Sequence, residues 1–393
     1  MKIAFWGNFG TLNLGNECTL HAMLAGARQH LPEAELVGVG NNPADTARRH
    51  QVAALPISPD PTLGFLGTAR LSKLRRVTAE LKDWSRVIGA MRSIDMLVMT
   101  GTGMLTDTHD GNFGMPYQMF KWVSAAALCR RKVAFVSVGA EGLSDKVKLF
   151  FLGSSLRLAR FRSYRDPLSK RRAERLYSGA ALDPIYPDLA FSLPESLTGR
   201  CQQSPDKIRT VAVGIYAVES GPEAIRNYVE QIGTFVLWLL ERGYRTRIVL
   251  GDVEYDESVR KQLLAWLESR HVLDRTVHEP VTSFQDLMLQ LSEADLVVAT
   301  RFHNVLLSVI LGKPVVSVSH MDKNDELMQA MGLSRYCLPL VDVRHEDIVA
   351  RFQDLEQNVE SVRAVVREKA ALFRDRLEEQ YAILFGLVQE PTT

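Results

Sequence analysis

The chain has 393 residues, of which 46% are hydrophobic and 24% are charged, and this composition is typical of a globular protein large enough for two domains. Lysine and arginine together number 47 and aspartate and glutamate 46, so the overall charge gives no reason to expect a nucleic-acid partner. The sequence has no stretch of about 18 consecutive apolar residues, which argues against a membrane-spanning helix.

Short β-branched and aliphatic segments alternate with longer amphipathic segments, and this pattern predicts parallel strands joined by crossover helices. The predicted strands are Ile3–Trp6, Leu36–Val39, Met96–Met99, Val133–Val138, Val211–Ile215, Arg247–Leu250, Leu296–Ala299 and Val315–Val318. They fall into two groups, each of which begins with a strand that leads through a glycine turn into a helix. We therefore predict an α/β fold with two Rossmann-like, doubly wound domains that face each other across a cleft.

Polar, proline-containing sequence between the two groups of strands indicates the domain boundary. The predicted N-terminal domain covers residues 1–195, a linker covers 196–209, and the C-terminal domain covers 210–345. Residues 346–393 are charged with leucines at helical spacing and predict one or two C-terminal helices. Because ligands of doubly wound sheets bind beyond the carboxyl ends of the strands, the turns that follow the strands are the candidate binding segments.

The first predicted strand leads into a glycine-rich turn that precedes a helix. Glycines in such a turn allow unusual backbone angles, amide groups at the helix start can hold an anion, and asparagine side chains add donors. The candidate binding residues here are Gly7, Asn8, Gly10, Asn13, Gly15, Asn16 and Glu17. The spacing matches neither a dinucleotide-binding motif nor a P-loop, and a tight βα turn without a ligand is an equally open interpretation.

The segment from Arg70 to Arg92 has seven basic and two acidic residues, with apolar residues at helical intervals. This pattern predicts a basic amphipathic helix. Two interpretations stay open: a solvated surface helix, or a helix attracted to an anionic membrane surface or to a phosphate-bearing acceptor.

A second glycine turn follows the strand Met96–Met99. Its candidate binding residues are Gly101, Thr102, Gly103 and Asp107. The position at the end of a buried strand favours ligand binding, and the alternative is that these residues only close the turn. His109 and Asp110 lie in the same loop, where an isolated pair of this kind is more typical of a protein surface than of acid–base catalysis.

A third junction follows the strand Leu296–Ala299 and places Arg301 and His303 ahead of an apolar helix. Either side chain costs free energy at the end of a buried strand unless it has a partner. A guanidinium binds carboxylate or phosphate oxygens with a planar fork, and an imidazole can give and take a proton near neutral pH. We therefore predict a functional site here, with Asn304 as a further binding residue; a helix start with a structural arginine is the alternative.

A fourth candidate segment contains Arg165 and Asp166 after a short strand-like stretch, with a proline that can open the next helix. Arg165 could be a second anion-binding group, or it could pair with Asp166 or with a neighbouring helix. Asp188 also follows an extended stretch, where it could line the cleft or cap a turn.

Six motifs occur in a characteristic order, and together they carry a family resemblance. They are GNFGTLNLGNE, TGTGMLTD, SVGAEGL, SYRDPLS, YPDLAFSL and ATRFHNVLLSVILGKPVVSVS. This set, which extends from about Lys2 to Val341, resembles the polysaccharide pyruvyl transferase family. Its most specific parts are the RxH motif before an apolar helix and the RD motif.

The resemblance implies a GT-B-like fold and a transfer of pyruvate from phosphoenolpyruvate to sugar hydroxyls, with formation of a ketal. It implies that Arg301 and His303 occupy the RxH motif and Arg165 the RD motif. On this hypothesis the arginines bind the carboxylate and phosphate of phosphoenolpyruvate, and His303 acts as the general acid. The donor is expected on the C-terminal domain, and the sugar acceptor, in a polysaccharide or its lipid-linked precursor, on the N-terminal domain.

The first two turns depart from the family pattern. Asn16 stands where an aspartate is usual, and Thr100 and Thr102 stand where glycines are commoner. These departures concern the acceptor and the loop contacts more than the type of reaction. Two other functions stay open: a GT-B-type glycosyltransferase that uses a nucleotide sugar, because fold alone does not separate the two, and a non-catalytic binding protein of polysaccharide assembly.

The sequence predicts no metal site and no resident cofactor, because acidic and histidine residues do not cluster at ligand spacing. The four cysteines lie far apart, which suggests neither zinc nor a disulfide framework. They are Cys18, Cys129, Cys201 and Cys337. The N-terminal segment reaches glycine before a long apolar stretch develops, unlike a signal peptide. We therefore expect a cytoplasmic protein, with contact at the inner membrane surface as an open alternative.

Overall fold

A computed structural model describes residues 1–11, 13–59, 73–107, 114–199, 208–218 and 221–389. The chain divides into two compact units. The N-terminal unit comprises Met1–Thr11, Thr19–Ser192 and Asp375–Thr393, and the C-terminal unit comprises Leu12–Cys18 and Leu193–Arg374. Each unit therefore contains a segment that is distant in sequence from the rest of it.

The N-terminal unit is built on a parallel sheet. Its strands are β1 (Lys2–Trp6), β2 (Glu35–Gly40), β3 (Ala53–Pro56), β4 (Met96–Thr100), β5 (Leu105–Thr106), β6 (Lys132–Val138), β7 (Ala140–Glu141) and β8 (Phe161–Tyr164). Six of them pair in the order β3-β2-β1-β4-β6-β8, while β5 and β7 form a separate pair. The order reverses between β1 and β4, and this reversal is the point at which doubly wound sheets bind ligands.

Helices join these strands and cover the sheet. They are α1 (Leu14–His30), α2 (Pro43–His50), α3 (Lys73–Arg92), α4 (Met115–Leu128), α5 (Lys146–Leu158) and α6 (Pro167–Glu174). The core beneath them includes the fully buried Trp6, Trp122 and Phe135. Helix α3 lies within the predicted basic helix, whose first residues, 70–72, fall outside the described residues. It exposes 64% of Leu81.

The C-terminal unit repeats the same strand order. Its strands are β9 (Thr210–Gly214), β10 (Arg245–Val249), β11 (Thr276–Val277), β12 (Leu296–Ala299), β13 (Val315–Ser319) and β14 (Cys337–Pro339). All pair in parallel, in the order β11-β10-β9-β12-β13-β14. The reversal here lies between β9 and β12. Strand β12 is buried along its whole length, as expected for an all-apolar strand inside a parallel sheet.

The helices of this unit follow its strands. They are α7 (Glu195–Thr198), α8 (Pro222–Glu241), α9 (Val253–Glu268), α10 (Phe284–Ser292), α11 (Phe302–Ile310), α12 (Asp322–Ala330) and α13 (His345–Gln357). Helix α11 follows β12 and is buried nearly all round, because its residues after the first turn are mainly aliphatic. The start of α11 is therefore held rigidly at the carboxyl edge of the sheet.

The last helix, α14 (Val359–Gln389), contributes to both units. Gln380, which is fully buried, accepts a hydrogen bond from the Ser163 hydroxyl at 2.6 Å. Its amide nitrogen donates to the Ser137 hydroxyl at 3.0 Å. The hydroxyl groups of Tyr381 and Ser192 lie 2.6 Å apart. The end of α14 is thus an integral part of the core of the N-terminal unit, although the sequence predicted a separate C-terminal segment.

The predicted fold class is confirmed: the protein is α/β, with two Rossmann-like parallel sheets. All eight predicted strands are present within one or two residues of their predicted ends, and the C-terminal stretch forms the two helices α13 and α14. Of the predicted linker, residues 200–207 lie outside the described residues. Within the part of the chain that the structure describes, none of the helices combines the length and apolarity needed to cross a bilayer.

Candidate anion-binding site

Arg301 lies at the carboxyl end of β12, directly before α11, and its guanidinium is held by Asp256 on α9. Nε lies 3.0 and 2.9 Å from the two carboxylate oxygens of Asp256, and Nη2 lies 2.7 Å from one of them. Asp256 is fully buried and also accepts from the backbone amides of Ala217 and Asp252, at 2.9 and 3.1 Å. This network fixes the guanidinium in one orientation.

The charge on Arg301 is permanent. Burial lowers its pKa, but the hydrogen bonds and charge of Asp256, together with the charge of Asp252, outweigh burial and raise the pKa above the ordinary value. The pair with Asp256 uses Nε and Nη2, and Nη1 makes no hydrogen bond to any described residue. Nη1 is therefore the part of the guanidinium that can bind an anion.

Two aromatic rings lie near the guanidinium, one against it and one packed against the first. Tyr216 follows β9, and the guanidinium carbon of Arg301 lies 4.6 Å from the centre of its ring. His320 follows β13, and its ring centre lies 4.0 Å from that of Tyr216. The ends of β9, β12 and β13, which are neighbours in the sheet, thus bring Tyr216, Arg301 and His320 together at the strand-order reversal.

His303 lies in the first turn of α11 and packs against Gly15. A Cβ atom added to Gly15 would lie 1.9 Å from Nε2 of His303. Any side chain at position 15 would therefore collide with the imidazole. Gly15 and His303, which were both predicted from the sequence as site residues, are thus in contact within the C-terminal unit although they are far apart in sequence.

Asn304 is fully buried between two glycines at the ends of neighbouring strands. A Cβ added to Gly214 would lie 2.5 Å from its amide nitrogen, and one added to Gly251 would lie 2.7 Å from its amide oxygen. Neither polar atom of the Asn304 side chain has a hydrogen-bond partner among the described residues. A buried amide without hydrogen-bond partners raises the free energy of the folded protein. Asn304 is therefore a candidate for hydrogen bonding to a ligand at this edge of the sheet.

The first glycine turn is divided between the units. Asn13 donates from its amide to the Asp252 carboxylate at 3.3 Å, within the C-terminal unit. Its amide oxygen accepts from the backbone of Gly15 and Asn16 at 3.2 and 3.4 Å, which caps α1. Asn16 and Glu17 are buried in the same turn. This half of the turn therefore joins the Arg301 site.

The other half of the turn is used for packing in the N-terminal unit. Gly10 has a φ of +72°, and a Cβ there would lie 2.3 Å from the Asn42 carbonyl oxygen. A Cβ on Gly7 would lie 2.4 Å from the ring of Phe9. The side chain of Asn8 accepts a hydrogen bond from that of Asn41. These contacts account for both glycines as parts of a tight turn, and a role in ligand binding stays a prediction.

Arg165 follows β8 in the N-terminal unit and is surrounded by three carboxylates. Its Nη1 lies 3.5 Å from Asp188, its Nε 3.4 Å from Asp166 and its Nη2 3.8 Å from Glu141. Burial lowers the pKa of Arg165, but these three charges outweigh burial and raise it. Burial also raises the pKa of Asp188, against the opposing effect of Arg165. Asp166 in addition caps α6 through the backbone and hydroxyl of Ser169.

The second glycine turn contacts the Arg165 cluster through Gly103, whose added Cβ would lie 3.3 Å from Glu141. A Cβ on Gly101 would lie 2.5 Å from the carbonyl oxygen of Ser137, so this glycine permits close packing on β6. The carbonyl oxygen of Thr102 accepts from the backbone of Met104 and Gly139, which closes the turn.

Asp107 is buried and committed to local structure. Its carboxylate accepts hydrogen bonds from the backbone of Ser144 and Asp145 and from the Ser144 hydroxyl. Burial raises the pKa of Asp107, but these hydrogen bonds outweigh burial and lower it. His109 and Asp110, from the same loop, lie outside the described residues.

Four polar side chains that lie close to Arg301 or to its neighbours in the C-terminal unit were not predicted from sequence. They are Tyr216, Asp252, Asp256 and His320. Three of the four follow a strand end by one to three residues, which is the signal that singled out Arg301, so the same rule could have found them. Asp256 lies a turn further along α9 and carries no such signal. In the described part of the chain, no group of three or more histidine, cysteine, aspartate or glutamate side chains is arranged to hold a metal ion.

Sequence comparison identifies the family of this chain. Residues 13–322 match the model of the polysaccharide pyruvyl transferase family. The chain belongs to this family. The matched range contains Arg165, Asp256, Arg301, His303 and His320, so both clusters described above fall within the polysaccharide pyruvyl transferase region. No curated protein matches the sequence.

Solved structures show the same fold at low sequence identity. A glycosyltransferase from Rickettsia africae superposes with a TM-score of 0.59 at 10% identity, over 98% of this chain and 98% of that one. A UDP-GlcNAc 2-epimerase from Neisseria meningitidis bound to UDP-GlcNAc gives 0.58 at 11% identity, over 96% and 100%. The MnaA protein of S. aureus with UDP gives 0.58 at 13%, over 99% and 98%. These similarities show that the pyruvyl transferase fold is GT-B-like.

Proposed function

We propose that this protein transfers a pyruvyl group from phosphoenolpyruvate to two hydroxyls of a sugar, in a polysaccharide or its lipid-linked precursor, and forms a cyclic ketal. The observation that carries the proposal is that a cationic group and a proton donor lie next to each other at the start of α11. Arg301 is held by Asp256 as a fixed cation, and His303 follows two residues later on the same rigid helix. Family membership supports a pyruvyl transfer.

Phosphoenolpyruvate carries a carboxylate and a phosphate, so its binding requires fixed positive charge and amide donors. Nη1 of Arg301 supplies the charge, and the N-terminus of α11 adds the positive end of a helix dipole. Because Asp256 and Tyr216 already hold the guanidinium, little reorganisation is needed when the anion binds.

His303 is the proposed proton donor. It gives a proton to the methylene carbon, the electrons of the carbon–carbon double bond form the new C–H bond, and the central carbon becomes an oxocarbenium-like electrophile. One sugar hydroxyl adds to that carbon and releases its proton, which restores the imidazolium. Phosphate then leaves with the electrons of its C–O bond, and the neighbouring hydroxyl closes the ketal. Of the two hydroxyl protons, one ends in the new methyl group and the other on phosphate.

The second arginine has a different environment. Arg165 is 7% exposed and already balanced by Asp188, Asp166 and Glu141. We propose, as the sequence predicted, that it contributes to phosphoenolpyruvate binding. Arg165→Lys is the test, because lysine keeps the charge but loses the fork.

The direct experiment incubates the full-length protein with phosphoenolpyruvate and a panel of pyranosides. Released phosphate and a product heavier by one pyruvyl ketal are measured together. His303→Gln and Arg301→Lys should each lower turnover by about 100-fold or more, whereas Arg351→Lys, at an exposed position of α13, should not. Binding of UDP- or GDP-sugars without any response to phosphoenolpyruvate would instead identify a glycosyltransferase.

A further inference from the structure

We propose that a cavity at the carboxyl ends of β13 and β14 binds the acceptor sugar, and that Nε2 of His320 accepts a hydrogen bond from one of its hydroxyls. The inference rests on the proposed function, because it names where the second substrate binds, and it replaces the expectation from the family resemblance that the acceptor binds the N-terminal domain. The cavity has a volume of about 470 Å³ and lies wholly within the C-terminal unit. That volume is in the range of sites for small ligands and accommodates one or two pyranose rings.

The hydrogen-bonding state of His320 is fixed by its neighbour. Nδ1 lies 3.1 Å from the carbonyl oxygen of Thr300. A carbonyl oxygen can only accept, so Nδ1 carries the hydrogen, and in the neutral ring Nε2 is an acceptor. Burial, followed by the charges of Lys323 and Arg301, lowers the pKa of His320 to about 3. The ring is therefore neutral near pH 7, with Nε2 as an acceptor.

The other polar groups of the cavity also favour a ligand that donates hydrogen bonds. Asp322 and Asp325 contribute carboxylates to its lining. The Cys337 thiol donates to Asp325 at 3.2 Å, and burial followed by this hydrogen bond raises the thiol pKa to about 12, so the thiol adds no further anion. The described residues that line the cavity include these two carboxylates and no lysine or arginine, so the lining disfavours phosphate and nucleotide ligands. A neutral polyol, whose hydroxyls donate, suits this lining.

Apolar groups give the cavity a second sugar-like property. Met321, Leu338 and Val341 are part of its lining, and the first and last of these are 39% and 78% exposed. A pyranose ring presents hydroxyls at its edge and C–H groups on its faces. Acceptor groups beside an exposed apolar surface match both parts of such a ring.

His320 also connects the cavity to the anion-binding site. The centre of its ring lies 4.0 Å from that of Tyr216, and the guanidinium carbon of Arg301 lies 4.6 Å from the centre of the Tyr216 ring. A hydroxyl that donates to His320 is therefore held next to the residues that bind phosphoenolpyruvate. Such positioning brings the two reactants together without a covalent role for His320.

A pair of isosteric substitutions tests the inference. His320→Asn keeps a donor at the position of Nδ1 and removes Nε2, whereas His320→Gln places an amide oxygen or nitrogen near the position of Nε2. Binding of methyl glycosides of glucose, galactose, mannose and their 2-acetamido forms is measured by saturation-transfer NMR without phosphoenolpyruvate. Phosphoenolpyruvate binding is measured separately by calorimetry.

We expect His320→Asn and Asp322→Asn each to weaken glycoside binding about tenfold. Asp322→Asn should change phosphoenolpyruvate affinity less than about twofold, and His320→Asn should weaken glycoside binding by a larger factor than phosphoenolpyruvate binding. His320→Gln should keep part of the glycoside affinity. Asp347→Asn is the control for Asp322→Asn, because it removes the same negative charge at an exposed position on α13. It should not change glycoside binding.

Several results would overturn the inference. Equal glycoside affinity in wild type and both His320 variants would show that the cavity does not hold the sugar. A loss of phosphoenolpyruvate affinity with unchanged glycoside binding would place His320 in the anion site instead. Binding of ethanolamine or Mg²⁺ in preference to every glycoside would identify a cation site. Glycoside binding is measured without turnover. A protein that binds glycosides but does not transfer pyruvate would therefore contradict the proposed function and not the location of the sugar site.

Discussion

The carboxylate of Asp256 binds Nε and Nη2 of Arg301 with three contacts of 2.7 to 3.0 Å. The pair joins α9 to the start of α11, where Phe302 and Asn304 are buried. Arg301 thus owes its orientation to a residue that touches no part of the proposed reaction. The proposed role of Arg301 in anion binding and its contribution to stability are linked through that one carboxylate.

Replacing Asp256 should separate these roles. Asp256→Asn keeps the shape but removes the charge, and it leaves a largely buried cation without its partner, so we expect a loss of about 2–3 kcal/mol in the free energy of unfolding. Phosphoenolpyruvate should still bind, with an affinity reduced by about 10-fold, because Arg301 loses its fixed orientation. Urea unfolding and calorimetry measure the two effects. Glu257→Gln, whose partner is the partly exposed Arg260 on the same helix, should cost less than about 1 kcal/mol.

Gly15→Ala should damage activity more than stability. The new methyl group would lie 1.9 Å from Nε2 of His303, and the imidazole must rotate away. We expect turnover to fall about 10- to 100-fold, since misplaced proton donors are inefficient. The matched control is Gly89→Ala on α3, where an added Cβ meets nothing within 4 Å. It should raise stability by about 0.5–1 kcal/mol and leave turnover unchanged. Normal turnover in Gly15→Ala would argue against His303 as the acid.

Stability should fall in mild acid because of two histidines that are kept neutral. Burial is the main cause that lowers the pKa of His21 to about 4 and that of His320 to about 3, from 6.5. Below pH 6.5 the unfolded chain binds protons that the folded chain does not, so the free energy of unfolding decreases as the pH falls from 6.5 towards these values. Above 6.5 the two residues contribute no slope.

The comparison of wild type with His21→Gln isolates this effect from the carboxylates. Between about pH 7.5 and about pH 4.5, wild type should lose more unfolding free energy than the variant, as measured by urea titration. Parallel losses in the two proteins would mean that His21 is not held neutral by the fold.

The Arg165 cluster should behave as a coupled unit. Arg165→Ala leaves three carboxylates close together and should cost about 3–5 kcal/mol of unfolding free energy. The double variant with Asp188→Asn should be more stable than the sum of the single effects predicts, by about 1–2 kcal/mol. The exposed pair Arg344–Asp347 gives the reference cycle, with coupling below about 1 kcal/mol. Strict additivity at Arg165 and Asp188 would contradict the ion pair.

The fold could be predicted because its signals are local. Strand β12 is a short aliphatic segment, and Arg301 and His303 follow within four residues of its end. A buried position tolerates such polar side chains only when they have partners. The predicted strands leave out β3, β5, β7, β11 and β14, because two to four residues are too few to show a period. The hydrophobic pattern therefore identifies the inner strands of each sheet better than its edges.

The site could be predicted only in part, because its pairings are not local. Asp256 looks like an ordinary acidic residue in an amphipathic helix, and only the approach of α9 to β12 reveals its partnership with Arg301. His320 had the same signal as Arg301, a titratable residue just after a strand, and could have been found. The division of the first turn, with Gly10 in one unit and Gly15 in the other, follows from tertiary packing that the motif itself does not encode.

The contribution of α14 to the N-terminal unit sets an order of events during protein synthesis. Ser137 and Ser163 emerge from the ribosome early, whereas Gln380, which binds both, is translated more than two hundred residues later. Domains generally fold as they are made, the N-terminal one first. Here the first unit cannot complete its core until residues 375–389 have been added, so the C-terminal unit can close before it. A ribosome stalled before α14 would hold a nascent chain whose first unit is still unfinished.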